Sequence, residues 1–173
     1  MGEKLIQKGF VALNIAVLTV SDTRTEEDDG SGQLLVERVQ QAGHKLADKK
    51  ITRDDIYAIR AVVSSWIAES DLHAVLITGG TGFSHRDSTP EAVTPLLDKE
   101  IEGFGELFRQ ISVRDIGTST MQSRALGGFA NNTVVFCVPG STNACATAWD
   151  ELIRLQLDSE TSPCNFVGVL INK

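Results

Sequence analysis

The sequence predicts an α/β fold, a three-layer α/β/α sandwich with a mostly parallel central sheet. The first observation is that the apolar runs at 14–20, 74–78 and 133–138 have the composition of strands that are buried on both faces. The second is that segments with apolar residues at helical spacing separate these runs. Because strands that alternate with helices are joined by right-handed crossovers, the strands are expected to run parallel.

The first half of the chain follows this alternation. The strand at 14–20 precedes a helix that begins at Ser31 and ends at a glycine. A weaker strand, of the kind found at a sheet edge, is predicted at 44–51. Asp54 or Asp55 caps the next helix. The apolar face of that helix repeats at helical spacing through Ile56, Ile59, Val63, Trp66 and Ile67.

The second half repeats the pattern with longer helical segments. The run at 74–78 is the next buried strand, and after it comes a helical face made by Phe104, Leu107, Phe108 and Ile111. The β-branched run at 133–138 is another strand. A Pro-Gly-Ser turn at 139–141 then leads into a helix that contains Cys145, Trp149, Leu152 and Ile153.

Length and composition exclude several classes of protein. A chain of 173 residues is expected to form one domain over 1–173, with 1–12 and 160–173 as peripheral terminal segments. The net charge of −7, without a basic stripe, argues against nucleic acid as a partner. The apolar stretch at 10–20 is too short for a membrane span, and no signal-peptide cleavage site follows it. The 3 cysteines lack CxxC spacing and indicate a reducing compartment. The expected location is cytoplasmic.

The segment 76–91 carries the strongest functional signal. An apolar strand breaks there into Thr-Gly-Gly-Thr-Gly at 78–82. Glycines let the backbone approach a ligand closely, and successive free N–H groups in such a turn form a concave anion site. Asp87 follows and supplies a carboxylate that can hold a metal ion. The alternative is a strand-to-helix turn that needs glycine only for its dihedral angles.

Familiar nucleotide-binding motifs do not fit this turn. No Gly-Lys-Ser/Thr follows it, which excludes a Walker A loop. His85 stands where a dinucleotide fingerprint has its last glycine. What remains is phosphate chemistry assisted by Mg²⁺, a cation that Asp54 and Asp87 suit because it prefers oxygen ligands. Structural alternatives stay open for both residues, a helix cap for Asp54 and a turn or cap for Asp87.

Four strand-to-helix junctions are expected to meet at one rim of the sheet. Ligands bind beyond the carboxyl ends of parallel strands, where helix N-termini also point. The junctions are 21–32, 52–55, 78–91 and 139–143, and each carries hydroxyl, carboxylate or glycine groups.

Two further sets of residues are candidates for ligand contact at this rim. Asp29 and Ser31 can reach a ligand from the start of their helix. Arg124 can bind a phosphate with two hydrogen bonds, although a lone arginine is also a common surface ion-pair partner.

A series of short motifs runs through most of the chain. They are Ser21-Asp22, Asp29-Gly30-Ser31-Gly32, Thr78-Gly79-Gly80-Thr81-Gly82, Asp87-Ser88-Thr89-Pro90-Glu91, Gly103-Phe104-Gly105-Glu106, Ser123-Arg124 and Pro139-Gly140-Ser141. Over residues 14–158 the chain resembles the molybdenum cofactor biosynthesis MoaB/MogA family. The acidic loop at 26–29 and the segments at 57–61, 117–120 and 163–166 resemble its MoaB branch.

The resemblance implies a function and a set of site residues. Members of the family bind molybdopterin, and the competent ones transfer AMP from MgATP onto its terminal phosphate and release pyrophosphate. Asp54 and Asp87 would be the catalytic and metal-binding carboxylates, and 79–82 would cradle phosphate. The substrate-binding residues implied by match are Ser21, Asp29, Ser31, Gly32, Thr78, Gly79, Gly80, Thr81, Gly82, Glu91, Ser123, Arg124, Pro139, Gly140, Ser141 and Asn143.

Two departures from the family pattern keep alternatives open. Arg53-Asp54-Asp55 stands where many members have Pro-Asp-Asp or Pro-Asp-Glu, so either carboxylate can be the one that faces the site. Ser141-Thr142 stands where the adenylylating branch often has Asn-Pro or Gln-Pro. A non-catalytic molybdopterin-binding or carrier protein is therefore the second hypothesis, and a nucleotide-binding regulatory domain is the third.

The resemblance also implies ligands and partners. Mg²⁺ and ATP would be needed for the transfer, with molybdopterin as the acceptor. The chain is expected to form a homotrimer or homohexamer and to work with other molybdenum cofactor biosynthesis proteins.

Overall fold

A six-stranded sheet forms the centre of the computed structural model, which describes residues 9–173; of the predicted terminal segment 1–12, residues 1–8 lie outside this range. The strands are β1 (Asn14–Val20), β2 (Lys45–Thr52), β3 (Ala74–Thr78), β4 (Lys99–Glu100), β5 (Leu126–Ala130) and β6 (Thr133–Val138). Their order across the sheet is β2-β1-β3-β6-β5-β4. The first four strands in this order are parallel, and β5 is antiparallel to both of its neighbours. The predicted mostly parallel sheet is confirmed.

Helices connect the strands in the predicted alternation. They are α1 (Gly30–Gln41), α2 (Ile56–Ala68), α3 (Thr89–Val93), α4 (Glu102–Ile116), α5 (Thr142–Ala148), α6 (Arg154–Gln156) and α7 (Val167–Leu170). A 3₁₀ segment at Gly117–Gln122 follows α4, and a π-helical turn at Trp149–Ile153 joins α5 to α6. Among residues 9–173, every helix falls short of the length and apolarity that a bilayer crossing requires.

The sheet separates two hydrophobic cores, which makes the fold three-layered. Alternate side chains of β1 point to opposite faces, so that Ile15 and Val17 join one core and Ala16 and Leu18 the other. The first core also contains buried residues of α1, α4 and α5, and the second contains those of α2 and α3. Strands covered on both sides need apolar residues at most positions, which explains the largely apolar runs in the sequence.

The β5–β6 hairpin was not predicted. Asn131 and Asn132 form its two-residue turn with φ of +48° and +55°, the left-handed conformations of a type I′ turn. The preceding strand contains Gly127 and Gly128, and glycine is depleted in strands. The apolar alternation of β5 is therefore too weak to predict it.

The helix caps and the face of α4 refine two predictions. Asp55 caps α2, because its side chain accepts a hydrogen bond from the Ala58 amide at 2.8 Å. Asp54 is therefore free for another role. In α4, Phe104 and Phe108 are buried, but Leu107, which was expected on the same face, is 49% exposed.

Candidate functional site

The carboxyl ends of β1, β3 and β6 open into one cavity of about 500 Å³. All four predicted junctions meet at one rim, since residues that follow β1, β2, β3 and β6 line this cavity. The predicted site residues on its wall are Ser21, Asp54, Thr78, Gly79, Gly80, Thr81, Gly82, Asp87, Ser123, Pro139 and Gly140. The remaining predicted residues, which lie elsewhere, are Asp29, Ser31, Gly32, Glu91, Arg124, Ser141 and Asn143.

The turn after β3 needs glycine both for its dihedral angles and for space. Gly79 and Gly80 have φ of +101° and +68°, in the region that side chains with a Cβ rarely adopt. A Cβ on Gly79 would lie 2.2 Å from the Val20 carbonyl oxygen, and one on Gly80 would lie 2.7 Å from Asp54 Oδ2. The turn is therefore packed directly against the strand β1 and the carboxylate of Asp54.

The amide groups of this turn are available to a ligand. The Gly79 amide donates to the Val138 carbonyl at 3.0 Å. Within residues 9–173, no hydrogen bond uses the amides of Gly80, Thr81 or Gly82. Consecutive free N–H groups on a cavity wall form a site for an anion such as phosphate.

Asp54 presents one fixed and one free carboxylate oxygen. Its Oδ1 accepts hydrogen bonds from the Ser88 amide at 3.0 Å and the Ser88 hydroxyl at 2.5 Å. Its own amide donates to Asp22 Oδ1 at 3.1 Å. No hydrogen bond from the described part of the chain reaches Oδ2, which lies against Gly80. The hydrogen bonds to Oδ1 therefore fix the orientation of the side chain and leave Oδ2 able to bind a ligand or a metal ion.

Asp87 is held in a similar way by the loop that follows the glycine turn. Its Oδ2 accepts a hydrogen bond from the Ser84 amide at 2.8 Å. A Cβ added to Gly82 would lie 2.8 Å from the same oxygen. Oδ1 accepts no hydrogen bond from residues 9–173. Asp87 therefore shapes the turn, as the structural alternative expected, and keeps one oxygen for a ligand.

The donor set fits a magnesium ion that is shared with phosphate. Asp54 and Asp87 each offer one uncommitted carboxylate oxygen on the same cavity wall, and oxygen ligands are those Mg²⁺ prefers. In the described chain, no group of three or more His, Cys, Asp or Glu side chains is placed to hold a metal. Phosphate and water oxygens would therefore complete the coordination, which is how Mg²⁺ usually binds with phosphate substrates.

Arg124 is used to hold the glycine turn in place. Its Nε donates to the Gly82 carbonyl at 2.9 Å, and its Nη2 donates to the Asp87 carbonyl at 3.2 Å. Its Nη1 pairs with Glu91. Burial raises the pKa of the Glu91 carboxyl, but the hydrogen bond from Arg124, a backbone hydrogen bond and the charge of Arg124 together outweigh it, and the net pKa is lowered. Both residues stand behind the turn, away from the cavity wall.

Asp29 joins helix α1 to the sheet. It is buried, with Oδ1 accepting from the Gly32 amide at 3.0 Å and Oδ2 from the Thr19 hydroxyl at 2.8 Å. Lys49 lies 3.0 Å from the same Oδ2. The Ser31 hydroxyl donates to the Gly140 carbonyl at 2.7 Å. These contacts hold the start of α1 against β1, β2 and the turn after β6, outside the cavity wall.

Ser141 and Asn143 line a smaller cavity of about 90 Å³ beside the main one. The two cavities share Ile116, Ser123 and Pro139 in their walls. The Ser123 hydroxyl is buried and has no hydrogen-bond partner within residues 9–173. Because buried polar atoms are normally paired, this hydroxyl is a candidate partner for a ligand that spans both cavities.

Several wall residues were not among the predicted site residues. Asp22 and Arg86 form an ion pair on the cavity wall, and the hydrogen bond from Arg86 lowers the pKa of the Asp22 carboxyl. Ser119 and Gln122, from the 3₁₀ segment after α4, also line the cavity. The hydroxyl-rich run at 117–120 was the available signal for this wall, but spacing alone did not place it near the glycine turn. The other such residues are Thr19, Val20, Arg24 and Ile116.

Known proteins share this fold and sequence. The family described as a probable molybdopterin binding domain matches residues 16–159. The molybdenum cofactor biosynthesis protein B of Escherichia coli K12 is 57% identical over 157 residues, covering 91% of this chain and 92% of that protein. A crystal structure of a molybdenum cofactor biosynthesis protein B superposes with a TM-score of 0.82 at 49% identity, covering 85% of this chain and 92% of the other.

A more distant structure shows how far the likeness extends. The tungsten cofactor synthesizing protein MoaB from Pyrococcus furiosus superposes with a TM-score of 0.74 at 36% identity, covering 80% of this chain and 89% of that one. The family match covers more than half of the chain, and the likeness in sequence and structure extends over nearly its whole length. This chain belongs to the molybdenum cofactor biosynthesis protein B family.

Proposed function

We propose that this protein binds molybdopterin and transfers AMP from MgATP to the terminal phosphate of the pterin. The observation that carries the proposal is the row of free amides at Gly80, Thr81 and Gly82, flanked on one cavity wall by Asp54 and Asp87. Free amides suit phosphate, and carboxylate oxygens suit its magnesium counter-ion. Membership in the family supports molybdopterin as the second ligand.

The reaction needs positioning more than it needs a reactive side chain. The terminal phosphate of molybdopterin is already an anion near neutral pH, so it can attack the α-phosphate of ATP without a general base. The new bond joins a pterin phosphate oxygen to the α-phosphorus, and the bond to the β-phosphate bridging oxygen breaks to release pyrophosphate. Holding two polyanions in line is then the main contribution of the protein.

The described residues divide this task between them. The amides at 80–82 would bind phosphate oxygens and offset the charge that builds up on them. Asp54 and Asp87 would hold Mg²⁺, which when bound reduces the repulsion between the two polyanions. Ser88 fixes Asp54, and Arg124 fixes the turn.

The wall shared by the two cavities is the better place for the pterin. The unpaired Ser123 hydroxyl lies between the two cavities, and Ser141 and Asn143 line the smaller one. Hydroxyl and amide groups match the hydrogen-bonding edge of a pterin ring. The pterin phosphate would then point toward the glycine turn, in the larger cavity. On this proposal, Asp29, Ser31, Gly32, Glu91 and Arg124 support the site without touching the substrate.

A non-catalytic molybdopterin carrier is the second candidate. The observation that favours it is Ser141-Thr142, in place of the Asn-Pro or Gln-Pro often found in the adenylylating branch. Here Ser141 caps α5, because its hydroxyl accepts from the Ala144 amide at 3.1 Å. Because the hydroxyl oxygen already accepts this amide, it is less available to contact the reacting phosphates.

Incubation of the purified protein with molybdopterin, ATP and Mg²⁺ separates the two candidates. The transferase forms adenylylated molybdopterin and an equal amount of pyrophosphate, both measurable by chromatography. Omitting molybdopterin must abolish pyrophosphate release, because a simple ATPase would continue. Pterin binding without either product would support the carrier, and no binding of pterin at millimolar concentration would exclude both.

We also propose that the chain self-associates as a homotrimer or homohexamer. Val113 and Ile116, neighbours on one face of α4, are 51% and 49% exposed, and Met121 in the following segment is 77% exposed. Exposed apolar clusters of this kind favour protein contacts. Sedimentation velocity at micromolar concentration tests this, and a monomer throughout the concentration range would contradict it.

A further inference from the structure

Asp22 and Arg86 form a two-pronged ion pair on the wall of the larger cavity, where the proposed function places the phosphate groups. Arg86 Nε donates to Asp22 Oδ2 at 2.9 Å, and Nη2 donates to Oδ1 at 2.8 Å. Both residues line the cavity. The pair links the loop after β1 to the loop after the glycine turn.

The cavity has too little free positive charge for the ligands it is proposed to hold. Among the described wall residues, the acidic ones are Asp22, Asp54 and Asp87, and the basic ones are Arg24 and Arg86. Arg24 donates to the backbone carbonyl of Asp28 at 2.6 Å. Within residues 9–173 its side chain makes no hydrogen bond to a carboxylate. Arg86 is neutralised by Asp22. A polyphosphate entering this cavity therefore meets a net negative wall, and it gains a guanidinium contact from Arg86 only if Arg86 leaves Asp22.

Such an exchange costs little because the pair is exposed. The side chains of Arg86 and Asp22 are 54% and 35% exposed, and ion pairs in water contribute little to stability. Phosphate offers a guanidinium the same two-pronged hydrogen bonding with more charge. Asp22 has a second contact that does not depend on Arg86, since it accepts the Asp54 amide at 3.1 Å. The loops can keep their positions while Arg86 turns.

We propose that Arg86 is a polyphosphate-binding residue that Asp22 holds until the ligand displaces it, a role that rests on the nucleotide-binding function proposed above. Asp22 then acts as an internal competitor of the ligand. The unexpected consequence is that removing the charge of Asp22 strengthens binding of a polyanion. Asp22→Asn is the suitable change, because its amide oxygen can still accept the Asp54 amide hydrogen.

Calorimetric titration with inorganic pyrophosphate and with ATP, both with Mg²⁺, tests this in a double-mutant cycle. Asp22→Asn is expected to tighten binding about three- to fivefold, the scale of an exposed ion pair. Arg86→Gln is expected to weaken it about tenfold, as for loss of a charge-assisted contact. In the double variant the gain from Asp22→Asn disappears, because no arginine is left to release.

A second ion pair of the same kind supplies the control. Arg38 and Asp150 form a two-pronged pair with side chains 32% and 45% exposed, outside this cavity. Arg38→Gln and Asp150→Asn change the net charge identically and must leave both affinities unchanged. Circular dichroism confirms that each variant folds.

The outcomes separate this role from the proposed function. Equal tightening by Asp22→Asn with and without Arg86 would reduce Asp22 to a general charge effect and overturn the role of Arg86. Weaker or unchanged binding in Asp22→Asn would overturn it as well. Binding of pyrophosphate but not ATP would remove the nucleotide function while the cycle on pyrophosphate still decides the role of Arg86. Binding of neither ligand by the unmodified protein would remove both.

Discussion

Ser88 donates two hydrogen bonds to the same oxygen of Asp54, from its amide at 3.0 Å and from its hydroxyl at 2.5 Å. Ser88 immediately precedes α3, and Asp54 lies just before the cap of α2. The two bonds therefore fix a carboxylate from one loop against the start of a helix from another. The second oxygen of Asp54 faces the glycine turn. Ser88 therefore determines the position of this free oxygen.

Ser88→Ala is expected to lower the turnover of AMP transfer about tenfold. The change removes one hydrogen bond to a charged group, worth about 1.5 kcal/mol, and leaves the amide in place. Steady-state kinetics of pyrophosphate release measure it. Ser65→Ala, at an exposed position of α2, is the matched control and must leave turnover unchanged. Equal turnover in both variants would show that the amide alone positions Asp54.

Asp87→Ala is expected to lower turnover by a factor of about 10² to 10³, or roughly 3–4 kcal/mol. Asp87 offers one oxygen that no residue of the described chain uses, and its loss removes a ligand for the magnesium ion. The Mg²⁺ concentration for half-maximal rate is expected to rise as well. AMP transfer at the unmodified rate would remove Asp87 from the mechanism.

The neighbouring carboxylates Asp54 and Asp55 are expected to give opposite results. Asp54→Ala should lower turnover by a factor comparable to that for Asp87→Ala, with folding intact. Asp55→Ala removes the N-cap of α2 and is expected to cost about 1 kcal/mol of stability with little change in turnover. Thermal denaturation and kinetics of the two variants measure both effects. A reversed pattern would mean that Asp55 turns into the site when substrate binds.

Much of this geometry follows from short-range pattern, as the central strands show. The apolar runs at 14–20, 74–78 and 133–138 coincide with β1, β3 and β6, because a strand covered on both faces is apolar at nearly every position. Parallel strands align their carboxyl ends, so the junctions at Ser21, Asp54 and Gly140 had to approach the glycine turn. The rim was therefore predictable without any knowledge of contacts.

The features that the sequence did not predict depend on contacts between distant parts of the chain. β5 contains glycine because a Cβ on Gly128 would lie 2.7 Å from the Lys99 carbonyl oxygen, a constraint that no local pattern reveals. Asp22 and Arg86 pair across 64 positions of sequence. Arg124 was a candidate phosphate ligand from its type alone, and only the fold shows that carbonyls and Glu91 occupy its guanidinium.

Gly80→Ala is expected to destabilise the fold by about 1–3 kcal/mol and to abolish phosphate binding. Its φ of +68° strains any residue with a Cβ, and the added carbon would lie 2.3 Å from Thr89 Oγ1. The control is Gly103→Ala in α4, where a Cβ meets nothing within 4 Å. That change should stabilise the helix by about 0.4–1 kcal/mol. Urea denaturation and pyrophosphate titration measure both, and similar behaviour of the two variants would contradict the role of the turn.

Two histidines beside β1 are expected to make the fold less stable in mild acid. Nδ1 of His44 accepts the Leu13 amide at 3.1 Å, and Nδ1 of His73 accepts the Asn14 amide at 2.8 Å. Protonation would turn each acceptor into a donor. Burial lowers the pKa of both rings; Asp158 opposes the shift at His44, and Lys173 adds to it at His73.

The sign of the pH effect follows from these lowered pKa values. The unfolded chain binds these protons at an ordinary histidine pKa of about 6.5, above the folded values, so it holds more protons in the window between them. Stability is therefore complete above about pH 6.5 and falls as the pH drops toward the folded pKa values. The double variant His44→Gln/His73→Gln keeps an acceptor at each site and cannot be protonated there. Urea denaturation from pH 8 down to about pH 5 should then show a shallower loss of stability than in the unmodified protein, and parallel curves would assign the acid sensitivity to carboxylates instead.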